Sequence, residues 1–419
     1  MNPPLVTYLL DSYRFSWKEE QVDVIADRLH QERDGLKCEL TVTTSRAPMA
    51  GLLRQGNFNI SSPSTRSQWE KALDQRMPDV DWYAAMEMIC ALTLKRWRDG
   101  EPVIDLASVE GRNGVPFLLP PFIVDGAATV LFAEGGTGKS LLALAMGISI
   151  ATGFEVLDAV PTRLGPVLYL DWEWDKESHA ERFKAICAGL GIAPPAGLVH
   201  YRHEVAPVWE AAPAIRRVIA ELGVVFVVID SLGFARGGEP ESADLTLKTF
   251  AALRTFGVPV LCLDHVAKNA TDKRFSFGSV YTTNAARMTW RADAVKTEGE
   301  SRIRVGLSNQ KANGRFQKPR GFQIEMDIDT DDKLLSVVFT PTSIEEIPGL
   351  SKALPLADRI EAILMANRGQ LDLGGILSCL EAEGGGTTTK ESVRVTLYRH
   401  SQRFVRLGND WGVLSRHGV

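Results

Sequence analysis

The feature that most constrains the fold is a thirteen-residue passage, "ATVLF" followed by "AEGGTGKS", from Ala128 to Ser140. The apolar run with β-branched members reads as a buried parallel strand. After the glycines comes "SLLALAMGISIATG", with apolar residues at helical spacing and Gly153 where a C-cap belongs. Strand, glycine loop and helix in this order satisfy the context of a phosphate-binding loop, G-x-x-x-x-G-K-[ST]. Here Ala133 stands at the first position, where glycine permits a tight turn and alanine is the smallest replacement. Backbone N–H groups of Gly135 to Lys139 then wrap a phosphate with the helix dipole behind them. The nucleotide contacts expected are Glu134, Gly135, Gly136, Thr137, Gly138, Lys139, Ser140 and Leu141. Lys139 neutralises the β- and γ-phosphates of ATP, and the Ser140 hydroxyl ligates Mg2+. A ligand-free glycine turn is the competing reading, and Gly138, Lys139 and Ser140 weigh against it.

A chain of 419 residues is too long for one ordinary domain. Residues 1–115 are expected to form an α+β accessory domain. Within it "KEEQVDVIADRLHQERDG" reads as helical, "CELTVTTSR" as a strand, and the stretch from "STRSQWEK" to "KRWRDG" as two helices divided at Pro78. Residues 116–345 alternate strands and helices, the order of a mostly parallel sheet. Their last strands, "RIRVGLSNQ", "GFQIEMDID" and "LSVVFTP", have no helices between them and predict an antiparallel extension at one edge. Residues 346–419 are a linker and a small module. No apolar run approaches a membrane span of about 20 residues, so no membrane partner is expected. Five scattered cysteines lack metal-ligand spacing and suit reduced thiols in the cytoplasm. A net charge of −5 argues against a polycation but leaves room for a local basic groove.

Three strand ends carry further chemistry. "VVFVVIDS" delivers Asp230 beside the phosphate loop as a Mg2+ carboxylate, against the alternative of a helix-capping Asp. "VLYLDWEWD" places Asp171 and Glu173 at the C-terminal end of its strand, where α/β sheets collect catalytic groups. Glu173 is the candidate base or polariser of the attacking water, with Asp171 as runner-up. "LCLDHVAKN" offers His265 as a group that hydrogen-bonds the γ-phosphate or its water and reports its loss.

The phosphate loop, the "DWE" after the second strand, the Asp230 strand and "LDHVAK" occur in the order seen in RecA-like hexameric ATPases. The chain resembles the RepA-type plasmid replicative helicases and their phage-encoded relatives over roughly residues 120–345. That resemblance accommodates Ala133 at the head of the loop, and it places an Arg nine residues after the catalytic Glu, matched by Arg182 after Glu173. It implies an α/β fold: a RecA-like, mostly parallel sheet as P-loop ATPase core. "FGSVYTTNAARMTWR" resembles the segment leading to an arginine that reaches the neighbouring subunit's nucleotide, here Arg287, and "NQKANGRF" makes Lys311 a second trans-acting cation. An arginine finger raises rates by roughly 10³ to 10⁵; the alternative is a pair of edge residues. "ATDKRFSF" is either a pore loop touching DNA through Lys273 and Arg274 or a solvated loop.

In the C-terminal module, three helices and a hairpin turning at Gly408-Asn409-Asp410 look like a winged helix-turn-helix. Lys390, Arg394, Arg399, Arg403 and Arg406 are its candidate DNA contacts, with protein interaction as the alternative. Three functions stay open. One is a homo-hexameric, ATP-hydrolysing DNA motor, a RepA-like helicase of a mobile genetic element, on single strands in the core and duplex at the winged helix. The second is a non-translocating ATP-dependent switch or loader. The third, a DNA-binding regulator with a degenerate ATPase, is weakened by intact Lys139, Ser140, Asp230 and Glu173. The N-terminal domain is expected to meet a protein partner.

Overall fold

The computed structural model describes residues 2–9, 12–48, 50–100, 103–111, 114–239, 242–266, 280–296, 301–314, 317–344, 356–382 and 388–414. The chain divides into two compact units, Met1–Gly111 and Arg112–Val419.

The first unit opens with an antiparallel meander, β1 (Leu5–Leu9), β2 (Ser12–Trp17), β3 (Val22–Glu32), β4 (Gly35–Thr44) and β5 (Gly51–Asn59), paired in sequence order. The helix expected over "KEEQVDVIADRLHQERDG" is therefore β3 and its turns. Period two explains the difference: Val22, Val24 and Ala26 are buried on one face while Asp23, Ile25 and Asp27 on the other are half-exposed. The charged tail of the segment is the hairpin itself, where Arg33 and Asp34 turn the chain into Gly35 at φ 134°. Two helices follow and bury the apolar face. Helix α1 (Pro63–Asp74) starts at Pro63 under a Ser62 cap that accepts from the Thr65 N–H, and α2 (Trp82–Asp99) under an Asp81 cap. Pro78 lies between them, as expected. Trp69, Trp82, Phe15 and Phe58 fill the core.

The second unit begins with a short antiparallel pair, β6 (Phe117–Leu119) and β7 (Ile123–Val124). Then come β8 (Ala128–Ala133), α3 (Lys139–Thr152), β9 (Val167–Asp171), α4 (Lys176–Gly189), β10 (Val199–His203), α5 (Val208–Leu222), β11 (Phe226–Asp230), α6 (Leu232–Ala235), α7 (Ala243–Arg254) and β12 (Val260–His265). After α8 (Val280–Ala285) come four long strands with no helix between them among the described residues: β13 (Met288–Lys296), β14 (Arg302–Ala312), β15 (Arg320–Ile328) and β16 (Leu334–Thr342). Among the described residues they form one nine-stranded sheet, in the order β10-β9-β11-β12-β8-β13-β14-β15-β16. Strands β8 to β13 are parallel, and β14 to β16 continue antiparallel. This is the mixed α/β sheet expected, with its antiparallel extension at one edge.

The extension curls back over the helices. Helix α3 is apolar on every side and buried along nearly its whole length, as befits a helix enclosed rather than laid on a surface. Its core includes β13 to β16 through Trp290, Val305, Phe322 and Val337. At the far end β16 meets α4 backbone to backbone: a β-carbon at Gly189 would stand 2.0 Å from the Val337 carbonyl oxygen. The Glu181 carboxylate also accepts the Leu334 N–H at 2.9 Å. The opposite face of the sheet packs against α5, α6 and α7.

The C-terminal segment forms α9 (Leu356–Ala366), β17 (Gln370–Asp372), α10 (Leu373–Ala382), α11 (Lys390–Arg399), β18 (Phe404–Leu407) and β19 (Asp410–Val413), with strand order β17-β19-β18. Ile360, Leu364, Ile376, Leu380, Val393, Leu397 and Phe404 share its core. Among the described residues no helix is long and apolar enough to cross a membrane. All five cysteines are free thiols, four of them buried.

Candidate functional site

Parallel pairing brings the carboxyl ends of four strands together. Asp230 of β11 is level with Asp171 of β9, and His265 of β12 with Ala133 of β8. The phosphate loop springs from β8 at this mouth. Its turn is stabilised by the Thr137 hydroxyl, which donates to the Glu134 carbonyl at 2.6 Å. Gly136 and Gly138 take φ of 71° and 90°, a region that glycine enters without steric penalty.

Lys139, at the first turn of α3, is 7% exposed. Its Nζ donates to the Ala133 and Glu134 carbonyls, both at 3.1 Å. Burial draws its pKa down against the opposing pull of Asp230, Glu173 and Asp264. Ser140 Oγ donates to Asp230 Oδ2 at 2.7 Å. The same oxygen accepts from the Tyr169 hydroxyl at 2.5 Å. Burial raises the Asp230 carboxyl above its ordinary value, and the two donors only partly oppose it. A half-buried hydroxyl and a buried carboxylate, both hard oxygens next to a phosphate loop, fit Mg2+, which is bound through one or two carboxylates together with phosphate oxygens and water. Among the described residues there is no cluster of three or more His, Cys, Asp or Glu to suggest a softer or fully protein-caged metal.

Glu173 follows β9 by two residues. Its carboxylate accepts from Ser231 Oγ and stands 3.4 Å from His265 Nε2. The His265 contact lowers its pKa most, Ser231 and Lys139 add to that, and burial works the other way. Glu173 is thus an anion at neutral pH, held at the mouth between β9, β11 and β12. The sequence set Asp171 beside it as runner-up for the base. Its side chain is instead fully buried and turned into the fold. It accepts the Glu173 N–H at 3.0 Å and the Tyr201 hydroxyl at 2.9 Å, with the His179 ring 3.3 Å away. Burial alone would push Asp171 up; these partners outweigh it and hold it below the usual carboxylate value. Asp171 anchors the turn that carries Glu173. Arg182, the residue singled out by its interval, lies with its guanidinium over the Trp174 ring at 5.1 Å.

One pair at the mouth escaped the sequence. Asp264 is 1% exposed, donates nothing, accepts the His265 N–H at 2.9 Å, and sits 3.7 Å from the fully buried Arg236. Arg236 in turn donates to Thr282 of α8 at 3.1 Å. Tyr169 was missed as well, although it stands two residues before Asp171 and therefore on the same face of β9. The signal was the alternation of the strand.

Arg287 and Lys311 are not part of this mouth. The Arg287 N–H donates to the Ala128 carbonyl, at the start of β8 and so at the opposite end of that strand from Lys139. Lys311 is beside it, and its Nζ donates to the Thr283, Asn284 and Ala286 carbonyls at 2.8, 2.8 and 2.7 Å. It closes the C-terminus of α8, where a cation is favoured. Burial and the Arg287 guanidinium both lower its pKa. The loop with Lys268, Lys273 and Arg274, and Arg315 further on, lie outside the described residues.

In the C-terminal segment Lys390, Arg394 and Arg399 are exposed on α11, with Tyr398 beside them. Arg403 is not free for DNA: it ion-pairs with Asp358 at 2.6 Å and with Glu361, tying the hairpin to α9. Arg406 bonds the Gly408 carbonyl at 3.1 Å, within its own hairpin.

A family model for an AAA domain matches residues 109–271. Among solved structures, a KaiC-like protein, PH0186, from the hyperthermophilic archaeon Pyrococcus horikoshii OT3 is similar at 17% identity, over 54% of this chain and 97% of that one, with a TM-score of 0.37. The family match and the geometry of the mouth support an ATPase domain of the P-loop class.

Proposed function

We propose that this chain is a ring-forming, ATP-hydrolysing DNA motor, similar to the RepA-type helicases of mobile elements. The observation that carries the reading is the division of the sheet. Lys139, Ser140, Asp230 and Glu173 converge at one end, and Arg287 stands at the other, where no phosphate of its own chain can reach it.

In this reading Ser140 and Asp230 hold Mg2+, which neutralises charge on the β- and γ-phosphates. Lys139 exchanges its two loop carbonyls for the γ-phosphate, and backbone N–H groups from Gly135 to Lys139 enclose the β-phosphate. Glu173, already ionised, accepts a hydrogen bond from the attacking water and aims it in line with the departing group. His265, within reach of Glu173, exchanges partners when the γ-phosphate leaves, which couples β12 to the state of the nucleotide. Arg287 serves the site of a neighbouring subunit, and Lys311 fixes the end of α8 from which Arg287 projects. Six such subunits close a ring. Single-stranded DNA is the partner of the core, duplex DNA of the α11 face with Lys390, Arg394 and Arg399, and a protein partner of the first unit.

The test is strand displacement on forked DNA with ATP and Mg2+, beside ATPase rates with and without single strands. Displacement together with stimulated hydrolysis is expected. Hydrolysis and DNA binding without displacement would leave the non-translocating switch or loader in its place. Absence of hydrolysis by the assembled protein would overturn both.

A further inference from the structure

Strand β13 outruns its neighbour. Ala292 pairs with Ala133, the last residue of β8, so Asp293 to Lys296 continue past the sheet mouth to the level of the phosphate loop. At that level Lys296 pairs with Ile303 of β14, and Ile303 with Ile324 of β15. Directly paired residues in antiparallel strands share a face, so the three form one row. Both ends of the row touch the loop. A β-carbon at Gly138 would stand 3.2 Å from Ile324 Cδ1, and one at Gly136 would stand 2.9 Å from Lys296 Nζ. The isoleucines are buried. Lys296 is exposed, and among the described residues it has neither hydrogen bond nor ion pair. The nearby carboxylate of its own strand, Asp293, is engaged by Arg291 at 2.5 Å.

An ammonium with no counterion among the described residues, set beside a glycine of the phosphate loop, lies where an anion gains most from it. We propose that Lys296 is a second cation for the phosphate chain of the bound nucleoside triphosphate, supplied by the same chain as the loop. The inference rests on the nucleotide reading above and adds a residue to it. Lys139 approaches the phosphates from within, out of the first turn of α3; Lys296 approaches from outside, across Gly136. The absence of a side chain at Gly136 leaves the space that the Lys296 ammonium occupies. Because Lys296 acts within one subunit, its effect appears at protein concentrations where no ring forms, which separates it from Arg287.

The measurement is titration of the full chain with N-methylanthraniloyl-labelled ATP and Mg2+, followed by fluorescence, at low and high salt. Lys296→Ala is expected to raise Kd about tenfold, the size of one partly solvated charge-assisted hydrogen bond. Lys296→Glu should weaken binding further, Lys296→Arg should keep most of the affinity, and the Ala variant should show a shallower salt dependence than the wild type. Because the side chain is exposed, all three should melt with the wild type. Lys139→Ala is the control for the loop. If the wild type binds and Lys139→Ala does not, while Lys296→Ala and Lys296→Glu bind like the wild type, the assignment of Lys296 is overturned and the nucleotide reading stands. If Lys296→Arg loses as much as Lys296→Glu, charge is not what the residue contributes and the proposal fails. A wild type that binds no nucleotide overturns the reading on which it rests.

Discussion

Replacing Tyr169 by Phe removes one oxygen from the buried face of β9. The phenol is fully buried, and its hydroxyl donates to Asp230 Oδ2 at 2.5 Å, the oxygen that also accepts from Ser140. Burial and the adjacent Asp230 raise the phenol well above its ordinary pKa, so it stays a neutral donor at any working pH. Phe keeps the ring among Tyr169's apolar neighbours and leaves Asp230 with one donor fewer in a site where burial already penalises its charge. A hydrogen bond to a charged group contributes about 1.5–3 kcal/mol, or roughly a ten- to hundredfold change in an equilibrium constant. The loss should fall on the metal, since Tyr169 reaches the nucleotide only through Asp230. Labelled ATP titrated with Mg2+ is therefore expected to bind about tenfold or more weakly to Tyr169→Phe, and its ATPase should need correspondingly more Mg2+. With the metal chelated, the two proteins should bind nucleotide alike. An unchanged Mg2+ dependence, or an equal loss with and without the metal, refutes the assignment of the tyrosine as the residue that aims Asp230.

Glu173→Gln is expected to retain ATP binding and lose turnover by at least about a hundredfold, read as a kcat loss without a matching rise in KM; retained turnover would move the water-orienting role elsewhere. Mixing Arg287→Ala with Lys139→Ala protein should restore part of the ATPase at mixed interfaces, and no recovery at any ratio would count against a shared site. Gly189→Ala should lower stability by about 1–3 kcal/mol, because its methyl group collides with the Val337 carbonyl; thermal melting reads it, and an unchanged Tm would mean that the two backbones separate freely. Burial pushes the Asp264 carboxyl up to about 6, against the pull of Arg236. The folded chain then binds more protons than the unfolded one between about pH 4 and 6, and this group's contribution to stability falls as pH rises through that window. Asp264→Asn removes the component, so urea unfolding should show the variant gaining on the wild type from about pH 4.5 to 7, and a constant difference would refute the shift.

The mouth was legible because its chemistry is local in sequence. Ala133 to Ser140 is one contiguous loop, and Asp230, Glu173 and His265 each end, or closely follow, an apolar run whose length and branching mark a parallel strand. What escaped was set by contacts between strands distant in sequence. Nothing near Asp171 states that Tyr201 and His179 will claim its carboxylate, so a buried anchor looked like a second base. Lys296 becomes visible only when the register of β13 against β8 is known. Arg403 looked like any other arginine of a basic helix and hairpin until Asp358 and Glu361 were placed beside it. The helical reading of β3 failed because charges on one face of a strand and a charged two-residue turn imitate an amphipathic helix when partners are unknown. The residues 267–279, where a pore loop was expected, lie outside the described residues.

The enclosure of α3 also decides where this ATPase can be cut. The matched AAA region stops at residue 271, but the wall around the phosphate-loop helix is completed by Trp290, Ile303, Val305, Leu307, Phe322, Ile324 and Val337. A fragment ending with the match would leave the apolar flank of that helix in water and its phosphate loop without the row from Lys296 to Ile324. The smallest autonomous nucleotide-binding piece therefore runs through Thr342, and the late strands are its keel rather than an appendage.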